Sequence, residues 1–269
     1  MKLFQPEYLN ELGERANNED AIYPLFPDEN DVVFLVCDGV GGQAKGEIAS
    51  KLICEHFPVY LKGTKDNTED EVILEKGLKY VEEKLQDYTE KNPNALHMGS
   101  TLTIMYLSKK ENSAILGWVG DSRIYHIRDG EILFQTKDHS HVQSLLEMGE
   151  ITEEEAKTHP KRNVITRAVN GRTHTRIATH KINDILENDF FLLCSDGILE
   201  NLDNEKIKKW FKAGVQSETL KNQILENAKG RTKDNYSMYL IKIKKINKSE
   251  PKDEKRFWQI FLITNNLRI

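Results

Sequence analysis

The chain has 269 residues, enough for one large domain, and its 38% hydrophobic and 30% charged residues are those of a folded globular protein. A net charge of −5 gives no broad attraction to a phosphate backbone, so nucleic acid is not an expected partner. Cys37, Cys54 and Cys194 form no CxxC pair, the N-terminus lacks the order of a signal peptide, and no apolar run approaches the roughly 20 residues of a membrane span; a cytoplasmic protein without a transmembrane segment is expected.

In chain order, residues 32–37 (VVFLVC) form an unbroken apolar, β-branched run that stops at Asp38-Gly39, the pattern of a strand buried on both faces. Helical spacing follows at Ile48, Leu52 and His56, and again at Leu74, Leu78, Val81, Leu85 and Tyr88. Residues 101–107, 113–120 and 123–134 read as strands joined by short loops, with Asp129-Gly130 as a hairpin turn, and together suggest an antiparallel meander. The run FFLLC at 190–194 repeats the first pattern and stops at Ser195-Asp196-Gly197. A helix over 217–228 and a strand over 236–243 complete the series. Hairpins combined with grouped helices favour an α+β fold over a doubly wound sheet. After Lys244 the composition turns charged and proline-containing, then ends in FWQIFLITNNLRI. The domain is therefore expected to span 1–245, with 246–269 a charged linker and short apolar tail for which docking on the domain is favoured over binding a partner or grazing a membrane surface.

Chemistry enters through carboxylates. Hard divalent cations take oxygen donors in octahedral array, so a site for them is built from several Asp or Glu side chains. Asp20, Asp38, Asp121, Asp196 and Asp234 all lie at strand ends or in loops, where a rigid scaffold can aim them. An Asp-Gly pair alone is only a turn signal, and most of the 43 acidic residues must be solvated surface charges. What distinguishes these five is their flanking sequence.

Those flanks are GERANNED (13–20), VCDGVGGQAKGE (36–47), GST (99–101), GWVGDSRIYHIRDG (117–130), DHS (138–140), EEEAKTHPKRNVITRAVNG (153–171), LLCSDGILENL (192–202) and KDNYSMYLIKI (233–243). In this order they resemble the metal-dependent protein phosphatases, the type-2C serine/threonine phosphatases, in their bacterial branch. The resemblance implies a four-layer α-β-β-α sandwich of two antiparallel sheets, a flap subdomain at about 142–172, and Mn²⁺ or Mg²⁺ as cofactor. It further implies that Asp38 bridges two ions and the Gly39 carbonyl binds one of them. Asp20, Asp196 and Asp234 would hold the other directly or through water, and Asp121 with Asp196 a third, weaker ion. Arg15 would pair with the substrate phosphate. The implied partners are phosphoserine and phosphothreonine proteins and a cognate serine/threonine kinase, with the enzyme a monomer.

The sequence departs from many relatives in the loop after Asp38, where Val40 and Gln43 fill positions that can carry a histidine proposed as general acid. His139 and His159 fall in family-like motifs, and a hydrogen-bonded structural role is expected for both. Glu153, Glu154 and Glu155 follow Thr152 as the first turn of a capped helix, so no metal role is expected for them. Two rivals share these features: a phosphoprotein-binding module without turnover, and a two-metal nuclease.

Overall fold

A computed structural model describes residues 1–40, 45–64 and 71–247. Gln43 and the apolar tail lie outside them. Two six-stranded antiparallel sheets face each other. The first has the order β1 (Lys2–Leu3), β12 (Tyr236–Lys245), β11 (Phe190–Cys194), β8 (Arg123–Arg128), β9 (Glu131–Gln135), with β2 (Glu7–Glu11) also on β12. The second runs β10 (Ala178–Ile182), β7 (Ser113–Val119), β6 (Leu102–Ser108), β4 (Val33–Val40), β3 (Asp20–Tyr23), with β5 (Gly99–Ser100) on the end of β4.

The period of two along the buried strands sorts their side chains between layers. Phe34 and Val36 of β4 meet Phe191 and Leu193 of β11 in the core between the sheets. The alternate residues Val33, Leu35 and Cys37 point the other way, onto helices α1 (Gly46–Gly63) and α2 (Val72–Lys91). Phe190, Leu192 and Cys194 likewise face α6 (Asn204–Trp210) and α7 (Ser217–Ala228) through Ile207, Leu220 and Ile224. Apolar burial at about 25 cal/mol per Å² is the main driving force for this stacking. The result is the four-layer α-β-β-α sandwich.

Two expectations need refinement. The face of α1 turned to the sheet is Ala49, Ile53, Phe57 and Leu61, while Ile48 and Leu52 pack at its margin. The meander does not form: β6 and β7 pair in one sheet, β8 and β9 in the other, and the chain crosses between sheets at Gly120-Asp121-Ser122. That crossing carries Asp121 to the shared end of both sheets.

The segment between the sheets' outer strands contains α3 (His141–Met148) and α4 (Glu153–Thr158), neither of which buries a residue. With no apolar face in the core, their definition comes from the caps. Ser140 Oγ accepts from Gln143 N at 3.2 Å, and Thr152 forms a capping box with Glu155, whose carboxylate accepts from Thr152 N at 2.7 Å. The acidic run is thus a helix N-terminus. Thr152→Ala is expected to cost about 1 kcal/mol locally, seen as faster amide exchange across 153–158 with the global melting temperature unchanged.

Candidate metal centre

Strand register brings the five aspartates to one end of the sandwich. Asp20 opens β3 and stands opposite Asp38 near the end of β4. In the other sheet Cys194 pairs with both Arg123 and Met238, so the residues just beyond β11, before β8 and before β12 converge: Asp196, Asp121 and Asp234. Burial raises the Asp38 carboxyl well above the usual carboxylate range, reinforced by the charges of Asp20, Asp196, Asp121 and Asp234. The other four therefore all lie within electrostatic reach of Asp38.

The same causes act on the rest. Burial pushes Asp20 up to about 7 against the hydrogen bonds of Ser195 and Ser237, and it pushes Asp121 up to about 7 with help from Asp196 and Asp138. Asp196 rises to about 6 through burial and Asp234, partly offset by a hydrogen bond shared with Asp38. Without cations, then, part of the cluster holds protons at neutral pH.

Supporting groups fix these carboxylates. Ser195 Oγ donates to Asp20 Oδ2 at 2.7 Å and accepts from Ser237 N at 2.9 Å. The Thr101 hydroxyl accepts from Asp38 N at 2.9 Å and lies 2.7 Å from Ser122 Oγ, joining β4 to the Asp121 turn. Asn235 gathers the segment that carries Arg15 and Asp20: its Oδ1 accepts from Glu19 N at 2.8 Å, and its Nδ2 donates to Leu12 O at 2.8 Å and Asn17 O at 3.0 Å. None of Thr101, Ser122, Ser195 and Asn235 was singled out by sequence reasoning, although each sits within the quoted motifs. For Ser122, Ser195 and Asn235 the signal available is adjacency to a candidate aspartate, whereas Thr101 has only its place in the GST motif.

Two glycines are required by close backbone approach. A Cβ on Gly39 would fall 2.3 Å from the Gly46 carbonyl carbon, so the end of β4 lies directly on the start of α1. A Cβ on Gly197 would fall 2.0 Å from Asn235 O, which locks the short helix α5 (Asp196–Leu199) to the start of β12. The α1 N-terminus beside Asp38 also favours negative charge there.

Arg15 Nη2 donates to Asp234 Oδ2 at 2.7 Å, yet its side chain remains 57% exposed, leaving donors free to meet a ligand at the rim. His159 Nδ1 accepts from Lys161 N at 3.1 Å at the end of α4, a structural contact. His139 joins Gly120 to Arg167. Lys161 and Arg162 are exposed.

The donor set fits a hard cation. Asp20 Oδ1 and Asp196 Oδ1 are buried without a hydrogen-bond partner among the described residues, a costly state that a cation would relieve. Among these residues no group of three Asp, Glu, His or Cys side chains closes tightly enough to hold an ion by itself.

A family profile described as Protein phosphatase 2C matches residues 11–228. The chain is 35% identical over 193 residues to the serine/threonine protein phosphatase PstP of Mycobacterium tuberculosis, covering 72% of this chain and 36% of that protein, so it spans about a third of that relative's length. It is 32% identical over 202 residues to the protein phosphatase PhpP of Streptococcus pneumoniae, covering 74% of this chain and 81% of the relative. Among solved structures, the M. tuberculosis phosphatase PstP/Ppp superposes with a TM-score of 0.79 at 30% identity, covering 91% of this chain and 100% of that one. The catalytic domain of PstP in complex with two manganese ions superposes at 0.70 with 26% identity, covering 91% of this chain and 100% of that one. The fold is that of the metal-dependent phosphatases. This chain belongs to the protein phosphatase 2C family.

Proposed function

We propose that the protein is a metal-dependent serine/threonine protein phosphatase that hydrolyses phosphoserine and phosphothreonine in other proteins. The observation that carries this reading is the pair of unpartnered, buried oxygens on Asp20 and Asp196 within a cluster of five carboxylates. In it, Asp38 and the Gly39 carbonyl would hold one Mn²⁺ or Mg²⁺; Asp38 with Asp20, Asp196 and Asp234 would hold a second, directly or through water, and Asp121 with Asp196 a third. Bound divalent ions supply Lewis acidity to the phosphoryl oxygens and lower the pKa of water to form the nucleophile.

The chain's own groups do the rest. Arg15, always charged and anchored by Asp234, presents a fork that orients a phosphate dianion at the mouth of the cleft. Ser195 and Thr101 hold the carboxylates of Asp20 and the backbone of Asp38 so that no reorganisation is needed as charge develops. Burial and Arg167 push the His139 imidazole down to about 4, so at physiological pH it is neutral and offers no imidazolium proton to the leaving alkoxide. Arg15→Ala removes a charge-assisted contact worth roughly 1.5–3 kcal/mol and is expected to raise KM tenfold or more, measured on a phosphothreonine peptide.

The catalytic unit in this reading is residues 1–245 acting as a monomer, with 142–172 as the flap, in the service of a cognate serine/threonine kinase's substrates. Among the described residues no helix is long and apolar enough to cross a membrane. The test is phosphate release from a phosphothreonine peptide with Mn²⁺, with Mg²⁺ and with chelator. Release only with metal is expected. Peptide binding without turnover would instead support a non-catalytic module, and nicking of plasmid DNA under the same conditions a nuclease.

A further inference from the structure

His139 occupies a position that the reaction as described does not use. Its backbone N donates to Gly120 O at 2.8 Å, and its carbonyl accepts from Thr166 N at 2.8 Å. The ring Nδ1 accepts from Gly120 N at 3.2 Å, the ring stacks on Trp118 with centroids 6.2 Å apart and planes 8° from parallel, and Arg167 Nη1 lies 3.3 Å from Nε2. One residue therefore ties the returning arm of the flap to the crossing turn that presents Asp121.

A neutral imidazole has one donor and one acceptor nitrogen. Both neighbours here, the Gly120 amide and the Arg167 guanidinium, are donors, so the ring can satisfy only one at a time. With Gly120 on Nδ1 the ring proton sits on Nε2 and faces Arg167. With Arg167 on Nε2 the Gly120 N–H loses its acceptor. The Gly120 backbone packs directly on Thr101, since its φ is +100° and a Cβ there would lie 2.6 Å from Thr101 Cγ2. Thr101 is the residue whose hydroxyl receives Asp38 N, so a shift of the turn reaches the centre of the cluster.

We propose that His139 is a positioning residue whose Nδ1 fixes the Gly120-Asp121 turn and so sets the affinity of the cation held by Asp121, while its Nε2 lets the flap's Arg167 compete for the same ring. The inference rests on Asp121 being a ligand of the third, weaker ion. Partners that orient metal ligands typically contribute roughly 10–100-fold in metal affinity, which sets the size of the effect.

The experiment is Mn²⁺ titration calorimetry on the full chain and its variants, with melting temperatures recorded for each. Asp121→Ala identifies the weak binding event by removing it. His139→Gln, which moves the acceptor toward the Nε2 position, is expected to weaken that event about tenfold or more, whereas His139→Asn, which keeps an acceptor near Nδ1, leaves it within about threefold of wild type. Arg167→Ala, at an exposed site, is expected to tighten it by releasing the competing donor. A purely structural histidine would lower the melting temperature of both His139 variants alike and leave the isotherm unchanged, which would overturn the proposal, as would an unchanged or weakened event in Arg167→Ala. If Asp121→Ala leaves the wild-type isotherm intact, the reading of Asp121 fails and the inference fails with it; if Asp121→Ala acts and His139→Gln does not, only the inference fails.

Discussion

Asp38→Asn is expected to lower kcat by about 10³-fold or more while raising the melting temperature of the metal-free protein. The two effects have one cause. In the proposed centre Asp38 is shared by both catalytic ions, and Lewis-acid stabilisation worth several kcal/mol corresponds to at least three powers of ten in rate. In the absence of metal the same carboxyl is buried among Asp20, Asp196, Asp121 and Asp234, all of which raise its pKa. Asparagine keeps the shape and removes the cost of burying and protonating that carboxyl. A gain of about 1 kcal/mol would shift the melting temperature by 2–4 °C in a domain of this size. Phosphate release and differential scanning calorimetry on one preparation check both halves, and a variant that lost activity by unfolding would show the opposite thermal shift.

The second large effect concerns pH. Asp20 and Asp121 at about 7 and Asp196 at about 6 all lie above the unfolded carboxylate value near 3.8. Between those limits the native state binds more protons than the unfolded chain, so stability falls as pH rises through the folded values near 6 and 7. Metal-free protein should therefore be more stable at pH 5 than at pH 8, by on the order of several kcal/mol. Saturating Mn²⁺ should reverse the slope, because ionised carboxylates are its ligands and protons compete with it. Urea denaturation across this range, with chelator and with Mn²⁺, reads the two slopes. Parallel curves of the same sign would mean that the cluster does not bind the metal.

Much of the scaffold was legible because its strands are buried on both faces. VVFLVC and FFLLC could be read as strands ending at aspartates, and both do so within a few residues. The hairpin at Asp129-Gly130 was visible for the local reason that this pair suits a tight turn, and Asp129 adopts a positive φ of 45°. The crossing at Gly120-Asp121-Ser122 was not, since a short glycine-containing connection looks the same whether the next strand stays in the sheet or leaves it. The strands β3 (DAIY) and β10 (ATHKI) are too short and mixed for any periodic signal; β3 pairs with the next strand, β4, whereas β10 pairs with β7, far back in the chain.

The candidate site was legible in a different way. Its aspartates could be named from flanking motifs, whereas the groups that hold them could not be ranked without the third dimension. Asn235 is the sharpest case: one side chain reaches Leu12, Asn17 and Glu19 more than 200 positions away. His139 is another, because the two groups at its ring nitrogens, Gly120 N and Arg167 Nη1, are brought together only in the folded chain.

The most direct measurement is a Mn²⁺ titration in which phosphate release from a phosphothreonine peptide and the melting temperature are followed in the same samples. A carboxylate cluster that is both the metal site and the reaction centre should make both rise together over one range of Mn²⁺ concentration, with binding at 100 times Kd adding about 2.7 kcal/mol of stability. Hydrolysis that proceeds fully in chelator, or Mn²⁺ that moves neither quantity, would contradict it.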